Sequence, residues 1–196
     1  MKLEASWYYN IKEISGISYL CGHCGTKTGP SKGFVSHYLS TTTPTAHVYI
    51  CSTCNKPTFI NNQDGQQVPG PLLGEPIDHL PEDIENLFDE ARKCISVNAY
   101  TSAVLSCRKL LMNISVSKGA EAGKSFASYV TFLEENHYIP PNSREWVDHI
   151  RKKGNEATHE IPSISKEDAI ELLEFTEMLL RFVYEMPGKM KKYRKD

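Results

Sequence analysis

Four cysteines in two C-x-x-C pairs are the residues of this 196-residue chain best placed to do chemistry. They are Cys21, Cys24, Cys51 and Cys54, and 26 residues separate the two pairs. A C-x-x-C turn holds two thiolates on one side of a tight knuckle, and two knuckles supply the four sulfur ligands of a tetrahedral Zn²⁺ site. Since four thiolates leave no coordination position for water, the spacing predicts a structural rather than a catalytic zinc ion.

Three other interpretations compete with zinc: a thioredoxin-type redox pair, two disulfides, or cysteines that merely pack. A redox C-x-x-C begins a helix in a βαβ unit, whereas short β-branched and aromatic segments surround both pairs here. His23 lies inside the first knuckle, and with four thiols available we expect it to face solvent. The other cysteines, Cys94 and Cys107, stand alone in helical sequence and are predicted to pack.

The cellular compartment also bears on the choice between metal binding and disulfides. The first ten residues, MKLEASWYYN, lack the apolar core of a signal peptide, and no stretch approaches about 18 apolar residues. We therefore predict a cytoplasmic protein without membrane association. Thiols stay reduced there, which favours metal binding over disulfides.

Two regions of different periodicity must position these residues. Residues 1–62 contain short strand-like segments and predict a small β zinc ribbon, too small for a robust core without metal. Residues 63–80 hold three prolines and three glycines and are predicted to be a linker. Residues 81–187 have helical apolar spacing and short connections, which predict a bundle. The expected fold class is α+β, with the ribbon preceding an all-α domain.

Five helices are predicted. The first begins near Pro81, the second covers about 99–118 and the third about 125–136. The fourth begins near residue 142, and the last covers about 166–186. The last has the clearest start signal, because Ser165 can act as N-cap and Asp168 follows three residues later. In the fourth, Trp146, Val147 and Ile150 are the apolar positions.

Charge is distributed unevenly along the chain. Residues 1–80 are neutral, residues 81–187 contain 12 basic and 18 acidic residues, and the tail 188–196 contains five basic and one acidic residue. The net charge of -2 excludes a globally basic nucleic-acid binder. A nucleic-acid contact would be confined to the tail or to Lys27, Lys32 and Lys56 of the ribbon, and we favour a solvated tail.

The segment 150–160, IRKKGNEATHE, contains a second group of residues with chemical potential. If a helix continues through Gly154, then Arg151, Asn155 and His159 follow i, i+4 and i+8 on one side of it. If Gly154 instead ends the helix, this alignment is lost. The structural interpretation, in which Asn155 and His159 tie helices together and Arg151 is solvated, is the more common situation.

The order of these features resembles a known family. The C-x-x-C pairs, the Pro/Gly linker, Leu80-Pro81 at a helix start, Arg108 in the second helix and the string from Ile150 to His159 are similar to the bacterial domain of unknown function 4145. That family is grouped with the HEPN (higher eukaryotes and prokaryotes nucleotide-binding) superfamily. The resemblance implies a HEPN-like bundle that forms a homodimer, an association with restriction and phage defence, and, in active members, metal-independent RNA cleavage by an Arg and a His.

From these observations we predict a zinc-binding adaptor module in bacterial or phage defence, with RNA or protein as its partner. The alternative is an endoribonuclease in which His159 is the acid/base, Arg151 stabilises the phosphate and Asn155 orients the histidine. Seven residues separate Arg151 from His159, whereas active members have four to six, so the adaptor is preferred. Arg108 is expected to form a surface pair with Lys109 or to bind a buried carboxylate.

Overall fold

A computed structural model describes residues 11–14, 16–37, 42–139, 145–148, 150, 164–191 and 193. The chain divides into two compact units: residues 1–73 with 96–98, here called the β unit, and residues 74–95 with 99–196, the helical unit. An N-terminal region of strands and a C-terminal region of helices confirm the α+β class. The first boundary lies between Leu73 and Gly74, inside the stretch 63–80 that the sequence predicts as a linker.

The described part of the β unit contains seven short strands. In chain order they are β1 (Lys12–Glu13), β2 (Tyr19–Leu20), β3 (Lys27–Thr28), β4 (Lys32–His37), β5 (Pro44–Ile50), β6 (Pro57–Asn61) and β7 (Gln67–Val68). Five of them form an antiparallel sheet in the order β1-β4-β5-β6-β7, and β2 pairs with β3 in a separate hairpin. Short connections join β4 to β7 in sequence and β2 to β3, as is usual for antiparallel strands, whereas residues 14–31, which contain the hairpin, separate β1 from β4.

Strand β7 lies within the predicted linker and is the main difference from the expected β region. Gly65 has a positive φ of 71°, and its amide donates to the Asn61 carbonyl at 2.9 Å. This turn reverses the chain, so that Gln67 and Val68 pair with β6. A strand of two residues has no alternating pattern to read from sequence, and the neighbouring Pro and Gly residues conceal it further.

The core of the β unit is small and rich in sulfur. One cluster of its described residues contains the buried Tyr19, Cys21, Tyr49, Cys51 and Ile60, with Ile14, Cys24 and Cys54 packed against them. Four of these eight residues are cysteines, so the chemistry of the thiols decides how well the core holds together.

The helical unit is built around one central helix. Its elements are α1 (Glu82–Ser96, whose last residue falls in the β unit), α2 (Tyr100–Ser117), α3 (Phe126–Glu135), α4 (Lys166–Leu180), a π-helical segment (Arg181–Glu185) and α5 (Met186–Lys191). Helix α2 packs against both α3 and α4. The side chains between them are almost entirely apolar, and they include Leu110, Leu111, Ile114, Val130, Leu133, Leu173, Leu179 and Leu180, each fully buried. Burial of each contributes about 2 kcal/mol, which gives this unit a conventional hydrophobic core.

The last helix starts as predicted and then departs from the prediction. The amide of Asp168 donates to Ser165 Oγ at 3.0 Å, which confirms the N-cap. Instead of one α-helix ending near Met186, the helix widens into the π-helical segment and continues to Lys191, within the stretch 188–196 predicted as a tail. Pro187 has no N–H to donate to the preceding turn, and a π-helical turn is a usual place for such a lost bond to be accommodated.

Residues 145–148 are helical, as expected for the fourth predicted helix, although its predicted start near residue 142 lies outside the described residues. The Trp146 ring meets the Phe175 ring edge to face, with centroids 4.9 Å apart, and Val147 and Ile150 are buried. None of the described helices combines the length and the hydropathy needed to cross a bilayer.

Candidate metal centre

The two C-x-x-C knuckles occupy equivalent positions at the ends of strands. Cys21 directly follows β2, and Cys51 directly follows β5. In each knuckle the amide of the first cysteine donates to a carbonyl five residues later, Cys21 to Thr26 at 3.0 Å and Cys51 to Lys56 at 3.1 Å. The same backbone loop is therefore used twice, and each loop presents two sulfur atoms.

Each knuckle closes on a residue with left-handed backbone geometry. Gly25 has φ of 70° and Asn55 has φ of 55°, and both donate their amide to the carbonyl of the first cysteine of their knuckle at 2.9 Å. Glycine and asparagine are the residues that adopt this conformation most readily. Gly22 serves another purpose, because a Cβ at this position would collide with the backbone of Pro69 and Gly70.

The four sulfur atoms have the separations of a tetrahedral site. The Sγ atoms of Cys21 and Cys54 are 3.8 Å apart, as are those of Cys24 and Cys51, and all four lie within 4.8 Å of one another. Four sulfurs placed about 2.3 Å from a central Zn²⁺ would be about 3.8 Å apart along the edges of the tetrahedron. Two of the separations equal this edge length, which confirms that the four predicted ligands come together in a cluster compatible with a metal ion of this size.

His23 is not part of this cluster, as expected, but it does not face solvent. The ring is half-buried, and its Nε2 lies 2.9 Å from the carbonyl oxygen of Pro57, where β6 begins. Because a carbonyl can only accept, Nε2 must donate, which fixes the tautomer of a neutral ring. The backbone amide of His23 also donates to Cys21 Sγ at 3.4 Å. The side chain therefore ties the first knuckle to the strand that follows the second.

Burial changes the acidity of the cluster. It raises the pKa of Cys21, and it raises the pKa of Cys54 to about 12. At Cys51 burial also acts upward, but hydrogen bonds from the backbone amides of Cys54 and Thr53 and from neighbouring thiols outweigh it and lower the pKa to about 7. Of Cys21, Cys51 and Cys54, Cys51 is therefore the first to ionise. Since a metal ion must displace the remaining protons, its affinity decreases as the pH falls.

Local structure argues against the redox and disulfide interpretations. The knuckles are followed by β3 and β6 rather than by a helix, so no helix N-terminus activates a thiol as in a redox pair. All six cysteines are free, and sulfur separations of 3.8 Å are far longer than the roughly 2.05 Å of a disulfide bond. Outside the cluster, Cys107 is fully buried, and burial raises its pKa to about 12, whereas Cys94 is half-buried.

The second predicted group of residues, Arg151, Asn155 and His159, lies outside the described residues. Arg108 is described, and it does not form the predicted surface pair, because only 8% of the residue is exposed. Its guanidinium carbon lies 4.4 Å from the centroid of the Phe126 ring, and its Nη1 has no hydrogen-bond partner among the described residues.

Sequence reasoning missed an exposed apolar face on the last helix. We call it the methionine face, formed by Met178, Phe182, Met186 and Met190. Met178 is half-buried, and the other three side chains are 39%, 53% and 57% exposed. The signal was present as apolar residues repeated every four positions, beside the core stripe of the same helix. It was hidden because one apolar stripe already explained the helix.

Comparison with known proteins assigns the second half of the chain to a protein family. A family model described as Domain of unknown function (DUF4145) matches residues 89–196, which is more than half of the sequence. The match begins within α1 and includes none of the four cluster cysteines. No curated protein and no solved structure matches the chain.

Proposed function

We propose that this chain, which belongs to the family Domain of unknown function (DUF4145), is a non-catalytic binding or adaptor module whose β unit is held together by one structural Zn²⁺. The four-cysteine cluster is the observation that carries the proposal, because its sulfur separations suit this ion. Four thiolates complete the coordination of Zn²⁺, so no position remains for a water nucleophile. An ion bound in this way supports a fold rather than a reaction.

Metal analysis of the purified protein tests the zinc assignment. We expect about one zinc per chain by atomic emission, and, after exchange for Co²⁺, the thiolate-to-cobalt charge-transfer absorption of a sulfur-rich site. Cys94→Ser is the matched control, because Cys94 is a cysteine outside the cluster, and this variant should keep the same metal content. Metal-replete protein with no bound zinc would contradict the proposal.

We extend the proposal to a homodimer that forms through the methionine face. Residues spaced by four along 12 positions make an apolar stripe about 18 Å long. Exposed apolar stripes of this kind are typical of interaction sites, because a partner that covers them removes apolar surface from water, which is favourable. Methionine suits such a site, since its flexible side chain adapts to a facing surface.

The charges along the same helix favour a second copy as the partner. Residues 166–180 contain five acidic residues and one basic residue, whereas residues 181–193 contain four basic residues and one acidic residue. An antiparallel arrangement of two copies places the acidic half of each helix beside the basic half of the other, and a parallel arrangement would not. Such a contact is two-fold symmetric and uses the same surface twice. One helix face is smaller than the roughly 800 Å² per partner of a standard interface, so we expect a dimer that dissociates on dilution.

Sedimentation equilibrium of matched charge substitutions tests this surface. Phe182→Glu should weaken self-association at least about tenfold, because it places a charge in the apolar contact. Leu105→Glu is the control, since Leu105 is also an exposed apolar side chain, at 45%, but lies on α2. A monomeric wild-type protein would contradict the homodimer, whereas equal association of wild type and Phe182→Glu would exclude only the methionine face.

The setting in defence, the HEPN-like character of the helical unit and an RNA or protein partner come from the resemblance and stay proposals. The nuclease alternative depends on Arg151, Asn155 and His159, which lie outside the described residues. Incubation of wild type and His159→Ala with mixed RNA in EDTA separates the two functions. No cleavage by either protein supports the adaptor, and cleavage by the wild type alone supports the nuclease.

A further inference from the structure

Arg108 is the anomaly of the helical unit. It lies on α2, only 8% of the residue is exposed, and its guanidinium stacks over the Phe126 ring at 4.4 Å. Its Nη1 is sealed from solvent and has no hydrogen-bond partner among the described residues. A guanidinium is always protonated in proteins, so this is a buried positive charge.

The other described arginines show how this fold normally treats such a charge. Arg92 is 5% exposed, and its guanidinium bonds to Asp89 at 2.9 Å and to the Gly74 carbonyl at 2.6 Å. Arg181 is held between Glu177 and Glu185. Among the arginines in the described part of the chain, Arg108 alone has a buried guanidinium nitrogen without a hydrogen-bond partner.

Within the described residues, neither α2 nor the first turn of α3 supplies a compensating acidic residue. Helix α2 contains no acidic residue, and the next residue, Lys109, is an exposed cation. The first turn of α3 also contains no acidic residue, and its only carboxylates, Glu134 and Glu135, are at its opposite end. The start of α3, at Phe126, presents the positive end of a helix dipole, which increases the local positive potential. Burial without a partner lowers the pKa of Arg108, as expected for an uncompensated cation.

We propose that Arg108 is the charged group of an oxyanion-binding site between α2 and the start of α3. The ligand class is a phosphate or carboxylate group, because the planar guanidinium fork matches the oxygens of both. Nη1 is closed off in this structure, so entry of the anion requires the side chains around the Phe126 ring to separate. This site is independent of the zinc cluster and of the dimer surface, and it adds a ligand to the function proposed above.

The proposal predicts an unusual stability effect. Arg108→Met removes the buried charge and keeps the length of the side chain, so without ligand the helical unit should unfold at the same temperature as the wild type or at a higher one. With inorganic phosphate at about ten times its dissociation constant, the wild type should gain about 3 °C, and Arg108→Met should gain nothing. Lys109→Met is the control, and its response to phosphate should equal that of the wild type.

Direct binding of the probe anions completes the experiment. The wild type is titrated with inorganic phosphate, AMP and acetate in a calorimeter at constant ionic strength. We expect it to bind at least one of these anions, and we expect Arg108→Met to bind that anion about tenfold more weakly or worse. Tighter binding of AMP than of inorganic phosphate would identify a phosphate monoester as the ligand, and preference for acetate would identify a carboxylate. Absence of binding by the wild type, equal binding by Arg108→Met, or a large loss of stability in Arg108→Met without any anion effect would overturn the proposal.

Discussion

The β unit and the helical unit are stabilised in different ways. Among the described residues of the β unit, four of the eight in one buried cluster are the cysteines of the metal site. In the helical unit, leucine, isoleucine, valine and phenylalanine side chains from several helices fill the core. A small region with few apolar side chains gains stability by binding a metal ion, and a larger region gains it by burial alone. The dependence of a unit on a ligand thus follows from how much apolar surface it can remove from water.

Disrupting the cluster should have the largest effect and should separate the two units most clearly. In Cys51→Ser we expect loss of bound zinc and unfolding of the β unit, because structural zinc sites contribute about 10–16 kcal/mol of apparent binding energy in small domains. The helical resonances in an NMR spectrum should remain dispersed while those of the sheet collapse. Cys94→Ser should leave both sets unchanged, and a dispersed sheet in metal-free Cys51→Ser would refute the comparison.

A cavity in the helical core should have the second largest effect and the opposite distribution. Leu110 on α2 is fully buried, so Leu110→Ala should reduce the free energy of unfolding of the helical unit by about 3 kcal/mol, measured by urea denaturation. Metal content should stay at the wild-type value. Leu105→Ala on the same helix, where the side chain is 45% exposed, should cost less than about 0.5 kcal/mol. Similar losses in both variants would mean that α2 does not have the buried face described here.

Removal of the N-cap of α4 should have a smaller effect. Ser165 Oγ accepts from the Asp168 amide at 3.0 Å, and Ser165→Ala leaves that amide without this partner. We expect a loss of about 1 kcal/mol in the urea unfolding of the helical unit. Ser165→Asp preserves an acceptor oxygen and adds a charge that suits the helix dipole, so it should unfold close to the wild type. If both variants lose equal stability, the hydroxyl acts in some other way than as a cap.

The two units should lose stability at different pH values, because different groups titrate in each. In the helical unit, the group concerned is Glu185. Hydrogen bonds from Lys189 and Arg181 hold the pKa of Glu185 at about 2, below its ordinary value of 4.5. A lowered pKa stabilises the folded state above the unfolded pKa, and this contribution is lost as the pH falls from about 4.5 to about 2. Glu185→Gln should therefore cost about 1 kcal/mol at neutral pH, after allowance for solvent screening, and almost nothing near the lower limit.

The β unit should respond at higher pH than Glu185 does. Protons compete with the metal ion for its thiolates, and an ordinary thiol is already protonated below a pH of about 8.5. Zinc release, followed with a coloured chelator, should therefore begin before the contribution of Glu185 is lost. Glu174→Gln is the control for Glu185→Gln, because Glu174 is an exposed glutamate on the same helix. Release of zinc only below the Glu185 transition would contradict this order.

Features carried by neighbouring residues were predictable from the sequence. The C-x-x-C pairs identified all four cysteines of the cluster, because a tight turn fixes the separation of two sulfurs whatever surrounds it. The N-cap at Ser165 followed from a serine before an acidic first turn and an apolar stripe. The family resemblance, which rested on the order of motifs along the chain, agrees with the family model over residues 89–196.

Features that depend on contacts between distant segments were not predictable. His23 seemed free to face solvent, but β6 brings the Pro57 carbonyl within 2.9 Å of its ring. Strand β7 exists because a turn at Gly65 returns two residues to the sheet. The widening of the last helix at 181–185 and its passage through Pro187 also lie beyond a periodicity argument, since the pattern of apolar residues hardly changes there.

The sequence by itself determined the four thiols, the change from strand to helix periodicity and the separation of an acidic helical region from a basic end, because each is a property of residues close together in the chain. Only the tertiary structure decided that the two knuckles meet with tetrahedral sulfur separations, since 26 intervening residues must be folded into strands to bring them together. It also decided that Arg108 is buried, with a guanidinium nitrogen that has no hydrogen-bond partner among the described residues. Burial depends on what packs against a side chain, and those neighbours come from other helices.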